Sequence, residues 1–171
     1  MTNTLGRLFP LRYIPQALSK KDVRKQTREL LHSRKSYKKT KPQYYTRQHI
    51  SSFHSKPSNH VSRARQIYKI ESIVPSPELS RKTGCSVSAL RKIVKKGEGA
   101  YYSSGSRPNQ TAQSWGYARL ASAITSGKSA AVDFAILEKG CKHNKPAYRM
   151  ALQSRKKHRH GQRHTVRRAA F

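Results

Sequence analysis

Ser76-Pro-Glu-Leu-Ser-Arg-Lys-Thr-Gly-Cys-Ser-Val-Ser-Ala-Leu-Arg-Lys-Ile-Val-Lys-Lys-Gly97 is the stretch whose reading decides the fold. Ser76 suits a helix N-cap, Pro77 the first helical position and Glu78 the first turn, so a short helix starts here and Gly84 ends it. Ser86 caps a second helix carrying Val87, Leu90, Ile93 and Val94, and Gly97 is expected to stop it. A short helix, the turn Thr83-Gly-Cys-Ser86 and a second helix have the outline of a DNA-binding helix-turn-helix.

Downstream, the segment from Gly99 to Gln110 reads as a loop. Thr111 then caps a helix through Ser126, with Trp115, Tyr117, Leu120, Ala121 and Ile124 facing inward. Ser129 caps one more through Glu138, with Val132, Ala135, Ile136 and Leu137, and Gly140 closes it. The expected fold is therefore mainly α: a small helical body with a helix-turn-helix-like pair, flanked by extended basic arms. Leu90, Ile93, Trp115, Leu120, Ile124, Val132 and Ile136 form the expected core, and no strand pattern competes.

Upstream, residues 1–57 read as a basic arm with one amphipathic helix. Pro10 and Pro15 keep the start extended. Ser19 caps the helix, Asp22 approximates a capping box, and Leu18 and Val23 stand at the staple positions. Its apolar stripe of Val23, Leu30, Leu31 and Tyr37 is thin, so it needs a surface to lie on. Between Tyr37 and Lys56 cations alternate with rings, among them Lys38, Lys39, Tyr44, Tyr45 and Arg47. That mixture suits a strand of nucleic acid, with cations on phosphates and rings on bases. With no folded platform evident to present the rings, an extended arm lying over protein is the favoured reading. Residues 58–140 read as the compact domain, opening with a helix through Ile70, and residues 141–171 as a basic tail without a single acid.

Charge sets the function class. The chain holds 37 Lys and Arg against 7 Asp and Glu, a net +30 over 171 residues, with 35% hydrophobic residues. Such a chain repels itself and attracts polyanions. Its length allows one modest domain. Arms this poor in apolar residues are not expected to be ordered in isolation. No run of some 18 apolar residues is present to span a membrane, and the first ten residues lack the apolar segment of a secretory signal. Two cysteines, Cys85 and Cys141, are too few for a disulfide framework, which makes a reducing compartment the default. No CxxC pair anchors a metal, and the acids are scattered with no pair set for acid and base roles. The expectation is a protein without catalytic residues, cofactor, metal or small-molecule substrate.

The candidate site residues are cations. Ser88, Arg91, Lys92 and Lys95 would face a major groove from the second helix of the pair. A plain helical hairpin is the commoner use of such a motif. Lys38, Lys39 and Arg47 in the N-terminal arm, and Arg155, Lys156, Lys157 and Arg159 in the tail, are further candidates for nucleic acid or anions. Arg107 sits in a loop rich in serine and glycine that suits an anion; the favoured alternative is a rigid surface loop in which Asn109 and Gln110 bond to backbone and Arg107 pairs with Glu98 or a partner.

Lys82-Thr-Gly-Cys-Ser86, and above all Gly99 to Thr111, Ser114 to Ile124 and Gly127 to Asp133, resemble a family of small basic proteins encoded by large nucleocytoplasmic DNA viruses, with related domains in some tailed phages. The resemblance covers roughly residues 10–142 and brings no catalytic residues with it. It implies a virus-encoded protein packaged in the particle: a minor capsid component on the capsid interior, stapling other capsid proteins, with basic arms against viral DNA or an anionic inner membrane. Before assembly it would reside in host cytoplasm or nucleus. The alternative is a nucleic-acid-binding protein that condenses a viral genome or is akin to a ribosomal protein.

Overall fold

Ser19 accepts a hydrogen bond from the Asp22 N–H at 3.2 Å and opens α1 (Lys20–Tyr37), as the capping pattern predicts. The structure, a computed structural model, describes residues 8–158 and 167–169. These divide into two compact units. One comprises the chain up to Lys56, Gly99–Ala112 and the C-terminal strand; the other comprises Pro57–Glu98 and the chain from Gln113 onward through the last helix.

In the first unit, β1 (Leu8–Pro10) pairs antiparallel with β2 (Arg167–Ala169), Leu8 opposite Ala169. Among the described residues this ladder is the one pair of strands, and three residues per strand leave too little alternation for a sequence pattern to reveal. Phe9, Tyr13, Ile14, Leu18, Leu30, Ile50 and Tyr101 are buried, Phe9, Leu30, Ile50 and Tyr101 completely. The N-terminal segment was expected to lack a core of its own. It has one, because Tyr101 and the loop after it belong to this unit. Asn109 supplies the tie: its Oδ1 accepts from Ile50 N–H at 2.8 Å, and its Nδ2 donates to the carbonyls of Ile50 and Phe53 at 3.0 and 3.1 Å. Asn109 has φ 58°, a left-handed conformation that asparagine tolerates.

The second unit contains α2 (Asn59–Tyr68), α3 (Pro77–Thr83), most of α4 (Val87–Ser103), α5 (Ala112–Ala123), α6 (Lys128–Val132), α7 (Phe134–Gly140) and α8 (Pro146–Lys157). One apolar cluster unites Ala64, Leu79, Leu90, Ile93, Leu120, Ile124, Phe134, Leu137, Ala147 and Ala151. Of the expected core, Leu90, Ile93, Leu120 and Ile124 are fully buried and Ile136 packs at the edge. Trp115 is half-buried and outside the cluster, and Val132 is exposed. The reason for Val132 is a break at Asp133. The predicted single helix divides into α6 and α7, which turns Phe134 and Leu137 inward in its place.

Gly97 does not end α4, which continues to Ser103. A Cβ on Gly97 would stand 2.6 Å from the Cα of Gly116, and one on Gly116 would stand 2.8 Å from the Val94 carbonyl oxygen. Both glycines therefore let α4 and α5 touch backbone to backbone, which offsets the propensity cost of glycine inside a helix. The segment after Cys141, expected to be a tail, instead forms α8. Pro146 starts it, and Ala147, Tyr148, Ala151 and Ser154 are buried along one face. Small residues at that spacing make a narrow stripe, easily lost among the surrounding cations.

Candidate nucleic-acid interface

The helix pair is built as its caps dictate. Ser76 Oγ accepts from Leu79 N–H at 3.1 Å, Gly84 ends α3 at φ 79°, and Ser86 Oγ accepts from Ala89 N–H at 3.1 Å to open α4. Ala89, Leu90, Ile93 and Val94 point into the core. Ser88, Arg91, Lys92 and Lys95, at i, i+3, i+4 and i+7, are exposed on the opposite side. The structure thus brings all four expected groove residues onto one face of a supported helix.

Lys96 behaves differently. Its Nζ lies 2.7 Å from Asp133 Oδ1, while Arg119 holds the same carboxylate bidentately at 2.7 and 2.8 Å. The Asp133 side chain is wholly buried. One acid is thereby withdrawn from the surface and fully partnered.

Cys85 and Cys141 form a disulfide at 2.03 Å. The low cysteine count did not announce it, and it runs against the reducing compartment taken as the default. The bond sits in an isolated antiparallel bridge, flanked by Ser86 N–H donating to the Gly140 carbonyl at 2.8 Å and Lys142 N–H donating to the Gly84 carbonyl at 2.9 Å. The clasp brings the start of the supposed tail beside the turn between α3 and α4. A Cβ on Gly84 would stand 2.4 Å from that of Lys145. Lys142 and Lys145 are exposed there, as are Arg81 and Lys82 on the last turn of α3. Sequence reasoning missed these four as part of the site; the Cys85 and Cys141 pair was the one signal that joined them.

On α8, Arg149, Lys156 and Lys157 are exposed. Arg155 is half-buried, its guanidinium 4.4 Å from the Phe134 ring centre, so its stem contributes to packing. Arg159 lies outside the described residues.

In the first unit the candidates separate. Arg47 is not a free anion contact. Its Nη1 donates to Ser33 Oγ at 3.0 Å and to the Tyr101 carbonyl at 2.7 Å, its Nη2 donates to Ser106 Oγ at 2.7 Å, and the guanidinium lies 3.7 Å from the Tyr101 ring centre. Burial pulls its pKa down from the ordinary arginine value, and the surrounding oxygens stand in for the lost water. Arg34 is similarly occupied, donating through Nε and Nη2 to the Ser104 carbonyl and lying over Phe9. Lys38 and Lys39 are exposed, Lys39 reaching Gln43 Oε1 at 2.8 Å. Arg107 is exposed and lines a shallow depression with Leu11, Arg12 and Phe53. Asn109 bonds to backbone as the rigid-loop reading expects.

The acids of this unit are engaged. Glu29 Oε2 accepts from Tyr45 Oη and Gln48 N–H, both at 2.8 Å, and desolvation followed by that hydrogen bond raises the Tyr45 pKa. Asp22 Oδ2 accepts from Ser52 N–H at 2.8 Å, and hydrogen bonding from Ser52 holds its carboxyl below the usual range.

Among the described residues, no group of three or more His, Cys, Asp or Glu is placed to hold a metal. No helix there is long and apolar enough to cross a membrane. Residues 10–144 match the family described as "Family of unknown function (DUF5824)". No curated protein and no solved structure matches the chain.

Proposed function

Because the chain belongs to DUF5824, a family of unknown function, we propose from its geometry that it is a non-enzymatic nucleic-acid-binding protein whose second unit docks the α3–α4 pair on a duplex. The observation that carries this reading is the single exposed face holding Ser88, Arg91, Lys92 and Lys95, on a helix whose other side is locked into the core. Lys82, Lys142 and Lys145 cluster about the preceding turn, where they would meet backbone phosphates. Rigid placement matters here, because cations held in position lose less entropy on binding than those on a flexible arm.

Fluorescence anisotropy on random-sequence duplexes tests it. Wild-type affinity should fall steeply between about 50 and 200 mM salt, with a log–log slope near −0.9 per phosphate contact. The double variant Arg91→Ala, Lys95→Ala should weaken binding about tenfold and reduce the slope by about two. Unchanged affinity and slope would remove the groove role.

A minor capsid component, the reading drawn from the sequence resemblance, is favoured by a separate observation: Ile67, Val132 and Leu152 in the second unit are exposed aliphatic side chains suited to a protein neighbour. We rank it second, because it drew on basic arms without structure of their own, and most of the N-terminal segment and α8 lie in folded units. Particle fractionation separates the two. Retention in emptied, nuclease-treated shells supports the capsid component; loss with the genome supports the nucleic-acid binder.

A further inference from the structure

Tyr44 keeps 69% of its surface exposed although it lies in an aromatic cluster. Its ring centre is 5.1 Å from that of Tyr102 at 67° and 6.1 Å from that of Tyr37 at 61°, while Tyr37 and Tyr102 lie nearly parallel, 12° apart in plane, with centres at 6.1 Å. Tyr102 in turn meets the fully buried Tyr101 edge-on at 5.0 Å. An aromatic ring this exposed loses apolar burial. Yet it is held by two others anchored to the core of the first unit, so it is exposed without being loose.

The surroundings are cationic. Lys35, Lys38, Lys39 and Lys41 are all exposed on the end of α1 and the turn after it. The acids of the unit do not offset them, since Glu29 is taken by Tyr45 and Gln48 and Asp22 by Ser52. Glu98, one turn before Tyr102 on α4, lays its Cγ against Gly116 of α5. Rings fixed by a folded base, with cations on flexible stems around them, match the chemistry of a nucleic acid strand whose bases are unpaired: ring faces for bases, ammonium groups for phosphates. A duplex hides its base faces within its own stack and gains nothing from Tyr44.

We propose that the Tyr37–Tyr44–Tyr102 cluster with Lys38, Lys39 and Lys41 is a binding platform for single-stranded nucleic acid, distinct from the α3–α4 face. It lies on the first unit and stands independently of the duplex reading. Tyr44 supplies the stacking face, Tyr37 and Tyr102 fix its orientation, and the three lysines track the backbone.

The test uses the full chain with a labelled oligothymidylate and, separately, a labelled random duplex. Tyr44→Ala should weaken oligothymidylate binding by about tenfold, in line with the loss of one stacked base, and leave duplex binding unchanged. Tyr44→Phe should bind the oligothymidylate like wild type, because stacking needs the ring and not the hydroxyl. The double variant Arg91→Ala, Lys95→Ala should show the converse pattern, so failure of either site is visible separately. An exposed side chain is replaced, so folding is checked simply by an unchanged thermal transition. Equal oligothymidylate affinity for wild type and Tyr44→Ala would overturn the platform and leave the cluster as a protein-facing patch. Parallel losses on both ligands, or failure of Tyr44→Phe to restore binding, would overturn it too.

Discussion

Cys85 and Cys141, 56 residues apart in the chain, are bonded across one antiparallel bridge that joins the α3–α4 turn to the segment leading into α8. Both are buried in the apolar cluster of the second unit. Cross-linking across that separation removes conformations chiefly from the unfolded chain, a contribution of about 4 kcal/mol in the loop-entropy description. Thermal unfolding with and without a phosphine reductant should show a markedly lower transition in the reduced protein. The variant Cys85→Ala, Cys141→Ala should unfold at that lower temperature and no longer respond to reductant. An oxidised and a reduced protein with the same transition would mean the bond constrains little.

Asn109 holds the first unit together through three hydrogen bonds to the backbone of residues 50 and 53. Asn109→Ala should cost about 2–3 kcal/mol, near 1 kcal/mol for each bond lost, and release the Ile50 amide to exchange. Asn109→Asp keeps the acceptor for Ile50 N–H and loses both donors, so it should destabilise the unit while preserving more protection at Ile50. Native-state hydrogen exchange read at that amide distinguishes the two.

The buried carboxylate of Asp133 predicts an asymmetry between its partners. Arg119 has 18% of its side chain exposed and Lys96 has 48%. Asp133→Asn leaves Arg119 without its counter-ion in a site that water barely reaches, and should cost about 3–5 kcal/mol. Lys96→Ala should cost well under that, because the carboxylate retains its bidentate arginine and the lost pair was half in water. Denaturant midpoints for the two variants give the comparison; equal losses would refute the asymmetry.

Acid should loosen the first unit through Asp22. Its pKa is lowered in the folded protein, first by the side-chain and backbone hydrogen bonds from Ser52 and, more weakly, by Lys25 and Lys21. A depressed carboxyl contributes stability that is fully present above the ordinary value of 3.8 and is lost as pH falls through the lower folded value. Ser52→Ala should move the Asp22 titration, followed by carboxyl carbon shifts, up toward 3.8. A titration that stays in place would assign the depression to the residue 52 backbone N–H, which alanine retains, together with the lysines.

Local chemistry made much of the helical framework readable in advance. Ser19 with Asp22, Ser76 with Pro77 and Glu78, and Ser86 mark the starts of α1, α3 and α4, because a cap is completed within four residues of itself. The solvent-facing set Ser88, Arg91, Lys92 and Lys95 was equally legible, since helical periodicity alone separates it from Leu90 and Ile93. The glycines were read less well. Gly97 has the appearance of a helix stop, and only its contact with Gly116 shows that it serves a helix crossing.

By itself, then, the order of residues determined the mainly helical class, the strongly cationic surface and the face that α4 exposes, all set by interactions between near neighbours or by simple charge. Tertiary structure alone decided the rest. It paired Cys85 with Cys141, formed α8 within the expected tail, withdrew Arg47 from the candidate cations, buried Asp133 against Arg119 and set Tyr44 edge-on to Tyr102. Each of those depends on groups brought together from well separated parts of the chain, or on which neighbour a helix meets, and such contacts form only once loop closure has been offset by the burial of a shared core.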